Sequence, residues 1–314
     1  MKKNVFFAAA FMLIAGGAMA QGNMSTVDQA GTNHQAQVTQ TGEANDSYVE
    51  QSDDNNAATV SQRGEGNISQ VLQILGSWDN VAVATQSGED NISDQQQGGG
   101  ATGNRAVVNQ DGEYNYAGQY QTYNSNGNAA YVTQTGDGND ATQTQSFTSS
   151  GNLAVITQTG DINIAEQEQM DISAGNEAVI TQTGDDNWAF QYQNGVSVAN
   201  TATIMQVGDV NDAYQYQEDI SALNAASIYQ EGDYNYARQN QSLLSIGFNS
   251  AEIEQYGEDN TGIQTQTLGG DLTATLYQEG IDNYSSQYQT GTSHESTVTQ
   301  IGHYNTAVVT QRNN

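Results

Sequence analysis

The chain has 314 residues, six basic against 36 acidic side chains, a formal net charge of −30, no cysteine and no proline. That charge speaks against nucleic acid as a partner, since phosphate binding needs clustered cations, and the lack of cysteine rules out a disulfide scaffold. Hydrophobic residues make up only 36%, a content that would suggest disorder were the chain not strictly periodic.

The first segment, 1–20, reads as a secretory signal peptide. Lys2 and Lys3 give a basic start, 5–14 is an apolar run, and Ala18-Met19-Ala20 is a small-residue cleavage site before Gln21. The run is too short for a stable membrane anchor, and the mature chain is expected to have no membrane span. Cleavage removes both lysines and leaves Arg63, Arg105, Arg238 and Arg312 against 36 acids, a net of −32. Segment 21–33 reads as a lead-in half coil, in which Asn23, Ser25, Val27 and Gln29 alternate as one strand.

Segment 34–314 carries one frame twelve times: Gln, one residue, Gly, two residues, Asn, then Gln six residues later. The leading glutamines are Gln40, Gln62, Gln86, Gln110, Gln134, Gln158, Gln182, Gln206, Gln230, Gln255, Gln278 and Gln300. The asparagines are Asn45, Asn67, Asn91, Asn115, Asn139, Asn163, Asn187, Asn211, Asn235, Asn260, Asn283 and Asn305. A period of this length marks a stacked repeat. Within each copy the alternation is two, so the elements are strands. In the copy NLAVITQTGDINIAEQEQ, Asn152, Ala154, Ile156 and Gln158, then Asn163, Ala165, Gln167 and Gln169, share the face that repeats, and Leu153, Val155, Thr157, Ile164, Glu166 and Glu168 share the face that varies. The repeating face is expected to be buried. The position two before the leading Gln is aliphatic in every copy, and the position four before is Ala in every copy but one, Ser296.

The short connection, x-Gly-[Asp/Glu]-x, needs Gly for a positive φ. The second connection has six residues in mid-chain, as in 170–175, and four near the ends, as in 52–55 and 290–293. The predicted fold is therefore all-β: a two-sheet parallel β-solenoid of cross-β type, one strand-turn-strand repeat per coil, with half a coil followed by twelve. At roughly 4.8 Å per coil the rod is about 58 Å long. Register would stack identical amides, so that Gln158 lies between Gln134 and Gln182 and each amide both donates and accepts. Both Gln and Asn series are the candidate stacking ladder.

The frame resembles the curlin repeat, Ser-x5-Gln-x-Gly-x2-Asn-x-Ala-x3-Gln: Gln158, Gly160, Asn163, Ala165 and Gln169 match it position for position, with Asn152 in place of the leading Ser. The resemblance covers nearly all of the mature chain, with twelve copies and a central period of 24. It implies a subunit of curli functional-amyloid fibres, exported through a dedicated pore of a bacterial outer membrane. It also implies a nucleator subunit as partner and polymerisation at the cell surface in adhesion and biofilm matrix. The alternatives are a minor nucleator or monomeric adhesin of the same fold and, less favoured, an ice-binding solenoid, whose Thr-x-Thr array is broken here: Thr297-x-Thr299 corresponds to Glu252-x-Glu254.

No enzymatic activity and no cofactor are expected, because no nucleophile, base and orienting group interrupt the frame. His34 and His294 occupy the leading Asn position of the end coils and read as ladder variants. The carboxylate after the turn Gly, present in ten copies from Glu43 to Glu258, reads as a solvated turn residue that limits aggregation; a linear divalent-cation site is the sharper alternative. Outward aromatics gather on the second strand, among them Tyr116, Tyr120, Trp188, Phe190, Tyr192, Tyr214, Tyr216 and Tyr236. They reflect β-propensity or a contact surface. A coil leaves unpaired main-chain groups at both ends of the stack, and no Pro-bearing or amphipathic cap is read beside the terminal repeats. End-to-end self-association is the expected consequence.

Overall fold

The computed structural model describes residues 22–218, 220–242 and 248–313. The secretory leader read over 1–20 lies outside the described residues. The alternation of two becomes two parallel sheets, one of 13 strands and one of 12, each built from every second strand of the chain. The predicted β-solenoid is the observed fold. Lead-in residues form the strand Met24–Thr32, paired in register with the next coil through Ser25–Ser47, Val27–Val49 and Gln29–Gln51. At mid-chain the strands Leu153–Thr159 and Ile164–Gln169 alternate as expected, with Ala154, Ile156, Gln158, Ala165, Gln167 and Gln169 buried and the intervening residues facing outward.

Between the sheets lies a thin core. One wall is the aliphatic column from Val60 through Ile156 to Val298, and the other is the small-residue column typified by Ala117, Ala141 and Ala165. The rest of the interior is mostly amide and hydroxyl, with the inward alanines of the 12-stranded sheet and a few apolar side chains such as Val49, Val71 and Leu272. Small residues allow the close approach that lets a glutamine reach the main chain of the opposite sheet: Gln158 Nε2 donates to the Asp140 and Asn163 carbonyls at 3.0 and 2.9 Å.

The short turn needs two unusual backbone conformations, not one. Gly160 sits at φ 111°, where an added Cβ would lie 2.2 Å from the Gly184 carbonyl oxygen, so any larger residue collides with the next coil. The residue before each frame asparagine is also left-handed, including Ile162 at 59° and Val210 at 58°, a strained choice for β-branched side chains. Asn163 holds this turn, its Nδ2 donating to the Gly184 carbonyl at 2.7 Å and its main-chain N–H to Asn139 Oδ1 at 3.0 Å.

The second connection is more than a loop, and here the sequence reading is corrected. In the middle coils it forms a third ladder. Parallel bridges run from Asp54 through Trp78, Thr102, Asn126, Ser150 and Ala174 to Val198, and the strands Val196–Val198 and Ile220–Ala222 pair beyond them. Two extra residues per coil make room for a buried serine, as at Ser173, which accepts from Asn152 Nδ2 at 2.7 Å.

Candidate assembly site

The structure brings the predicted ladder residues together as columns. From Gln40 to Gln300, each leading glutamine donates Nε2 to Oε1 of the next, at 2.8–3.0 Å in all eleven steps. The asparagines run in the opposite sense: Asn163 Nδ2 donates back to Asn139 Oδ1 at 3.0 Å, and the series extends from Asn305 to Asn23. Frame geometry dictates this, since an in-register parallel stack places like amides one coil apart with a donor and an acceptor on each. An unpaired buried amide costs about 1–3 kcal/mol, so register slippage is penalised at every coil.

Two further glutamine columns line the 13-stranded sheet. Gln29 to Gln311 form an unbroken second glutamine ladder on the 13-stranded sheet, represented by Gln145 donating to Gln169 at 2.8 Å. The third, Gln95 to Gln287, stops short of both ends. Beyond it the same inward position is Val27, Val49 and Val71 on one side and Val309 on the other. At its upper end Gln287 Nε2 donates to Ser296 Oγ at 2.9 Å, which accounts for serine where every other copy has alanine. At its lower end Gln95 Oε1 is buried without a partner.

The column at the leading position, Asn56 to Asn249, whose end variants are His34 and His294, lies inward beside the candidate series and bonds differently from it. Its members accept main-chain N–H bonds from the coil above, as Asn128 Oδ1 does from Asn152 N at 2.9 Å. A signal existed in the sequence: Ser or Ala recurs three residues before most of these asparagines, as in Ser125, Ser149 and Ser173.

Nearly all the turn carboxylates are exposed, as expected of solvated turn residues, and the aspartates among them also take a structural part. Asp137, Asp161, Asp185, Asp209 and Asp233 each accept, through Oδ1, a main-chain N–H from the preceding coil at 2.8–3.0 Å. The Asp-bearing strands end before the turn, as Leu153–Thr159 does. In the Glu-bearing copies the strand itself runs through the turn, as in Ala57–Glu65 and Val81–Glu89, and the main chain pairs directly. The choice between Asp and Glu thus follows the turn's own hydrogen bonding. Among the described residues no three His, Asp or Glu side chains converge to hold a metal ion.

Outside the 13-stranded sheet, aromatic rings from successive coils touch: Trp188 with Tyr214 at 6.1 Å, Tyr214 with Tyr236 at 5.7 Å, and Phe190 with Tyr216 at 5.5 Å between centroids. Arg238 lies over the Tyr216 ring at 5.2 Å. Carboxylates wedged into this surface are raised above their ordinary range by burial: Asp94, Asp140 and Asp212, the last between Trp188 and Tyr236 in register. Glu168 is pushed up to about 7, first by burial and then by Glu166 beside it. Burial also lifts the Tyr214 phenol to about 12.

Among the described residues, no further strand covers the ladders at either end. His34 and His294 take the leading position there and bond main chain of their own turn, to the Ala30 and Thr290 carbonyls at 3.3 and 3.1 Å. Among the described residues the edge strands are Met24–Thr32 and Gln35–Glu43 at one end, Glu295–His303 and Thr306–Arg312 at the other; each has a strand partner on one side only. Among the described residues there is no helix long and apolar enough to cross a membrane. No protein-family model matches this chain, and no curated protein is significantly similar to it.

Proposed function

We propose that the chain is a secreted, non-enzymatic structural protein that assembles end to end into curlin-like extracellular amyloid fibres. The open ends carry this reading. Each terminal coil presents a row of unpaired main-chain groups, flanked by amides whose neighbours inside the rod are all paired to the next coil. Soluble monomers blunt such edges with charge, proline or a covering segment. The interior supports the same reading, because a second copy would continue the two glutamine ladders that reach both ends, Gln40 to Gln300 and Gln29 to Gln311. Export through an outer-membrane pore, priming by a nucleator subunit, and adhesion or matrix roles follow from the curlin resemblance. The aromatic face favours lateral contact between fibres.

The test is direct. Residues 21–314, purified without template, should form filaments visible by electron microscopy, with a meridional fibre-diffraction spacing near 4.8 Å. A chain that stays monomeric for days at high concentration would instead be a monomeric adhesin.

A further inference from the structure

We propose that successive copies dock after a half turn about the long axis. The Met24–Thr32 strand of one copy then adds to Glu295–His303 of another, and Gln35–Glu43 adds to Thr306–Arg312. The proposal rests on the fibre reading and specifies its junction; the occupant of each open end is a second copy of this chain.

The first support is height. Gln62, in the 12-stranded sheet, donates Nε2 to two carbonyls one coil apart in the opposite sheet, Asp46 and Asn67, both at 2.9 Å. Gln73, in the 13-stranded sheet, bridges Ala57 and Asn80 of the 12-stranded sheet in the same way, at 3.1 and 3.0 Å. Both amides also donate in the same direction along the axis, to Gln86 and Gln97. Only sheets offset by half a rise satisfy both sets. The Thr306–Arg312 strand therefore stands half a rise above Glu295–His303, and Met24–Thr32 half a rise below Gln35–Glu43.

Docking without rotation then fails in one sheet. If Met24–Thr32 sits one rise, about 4.8 Å, above Thr306–Arg312, then Gln35–Glu43 stands two rises, about 9.6 Å, above Glu295–His303, and a strand is missing. A half turn exchanges the sheets and reverses strand direction, so both contacts become parallel and one rise apart. The odd strand total of 13 and 12 closes without a gap only this way.

Side chains at the ends fit the exchange. Within the rod the third inward position is Gln in one sheet and aliphatic in the other, so exchanging interior strands would set Gln against Ile. At the ends the 13-stranded sheet carries Val27 and Val309 instead. After a half turn Val27 meets Val298 and Val38 meets Val309, while glutamine still meets glutamine. Truncating the third ladder leaves Gln95 Oε1 unpartnered, a cost that serves nothing in an isolated rod.

Turns agree as well. In the end coils both connections share one form: Gly31 and Gly42 have φ 138° and 113°, and Gly291 and Gly302 have 114° and 110°. The left-handed residue follows in each, at Asn33, Ala44, Ser293 and Tyr304. Most interior coils lack this symmetry, having a longer second connection. Polarity is fixed too: the leading glutamines point Nε2 toward the Gln300 end and Oε1 toward the Gln40 end, so head-to-head docking would face donor to donor.

The chain has no cysteine, which makes cross-linking clean. Thr39, Asp28 and Thr310 are exposed on outward faces. In the half-turn junction Thr39 of one copy lies beside Thr310 of the next; without rotation Asp28 takes that place. Neighbouring-strand spacing suits a disulfide. Filaments of Thr39→Cys/Thr310→Cys, confirmed by microscopy, oxidised and then dissolved, should give a covalent ladder of multimers, and those of Asp28→Cys/Thr310→Cys only monomer. A ladder from the second pair, dimers from Thr310→Cys alone, or filaments without a ladder from the first pair each overturn the half turn. Absence of filaments before oxidation defeats the fibre reading itself, and the junction with it.

Discussion

Gln158→Glu tests the interior most sharply, because it alters one atom's chemistry and little volume. Gln158 Nε2 shares its two N–H groups among three acceptors, the Asp140 carbonyl, the Asn163 carbonyl and Gln182 Oε1, all at 2.9–3.0 Å, and Oε1 accepts from Gln134 Nε2 at 2.9 Å. With Ala at 158, Gln182 Oε1 loses its donor, worth about 1–3 kcal/mol, and the missing amide leaves a cavity worth about 1–2 kcal/mol more. Gln134 keeps its bonds to the Tyr116 and Asn139 carbonyls and loses little. Glutamate is worse. It sets a buried carboxylate against three oxygens with no cation nearby, at a cost of at least about 3–5 kcal/mol. Solenoid stability is a sum of local terms, so the readout is hydrogen exchange in coils 130–190, where 3 kcal/mol of lost protection is roughly a 100-fold faster exchange. Thr157→Ser, one residue away and facing outward, should change exchange by less than about threefold, under about 0.5 kcal/mol. Comparable exchange for Gln158→Glu and Thr157→Ser at neutral pH would refute the buried-donor geometry.

Gly160→Ala should abolish folding of its coil, since its Cβ lands 2.2 Å from the Gly184 oxygen; Gly151→Ala, left-handed but in open space, should cost only about 1 kcal/mol by denaturant titration. Glu168 is raised in the folded state to about 7, so its stabilising contribution is complete below the unfolded carboxylate value near 4.5 and is lost as pH rises through 7. Because Glu168 is partly exposed, screening limits the effect to about 1 kcal/mol. Glu168→Gln should raise the denaturation midpoint at pH 8 and leave it unchanged at pH 4, and equal shifts at both would count against burial as the cause. Gln300→Ala should slow seeded filament growth more than it destabilises the monomer, because Gln300 Nε2 bonds only the Tyr284 carbonyl within the chain; the check is thioflavin-monitored elongation beside exchange of the last coil.

Much of this architecture is written in the frame. The Gln and Asn series, the inward Ala and aliphatic positions, and the parallel register all follow from a period of two inside a period near 24. What the frame conceals is set by distances that no single repeat contains. Asp137 and Glu65 occupy the same frame position, yet one accepts a main-chain N–H and the other lies on a strand that pairs through the turn; the difference lies in where each strand stops. The buried serines of the second connection escaped for a similar reason. Ser173 matters only because Asn152, 21 residues earlier, is folded back beneath it.

The departures from the frame are at least as informative as the frame. An ideal repeat would carry Gln at the third position of every second strand, Ala before every aliphatic residue and Asn at every leading position. The end coils break all three rules, with Val27 and Val309, Ser296, and His34 and His294. Random drift would scatter such changes along the rod. Here they gather at the ends and in the coils next to them: Val49 and Val71 follow Val27 inward, Leu272 takes the leading position one coil before His294, and the second connection shortens at 52–55 as well as at 290–293. A ladder confers stability only where both neighbours exist, so its end residues answer to whatever covers the ends. Valine, which needs no amide partner, suits a strand that must meet a different kind of strand from the one behind it. The ends of this rod are thus composed for contact rather than for solvent, and the interior supplies the stiffness that presents them.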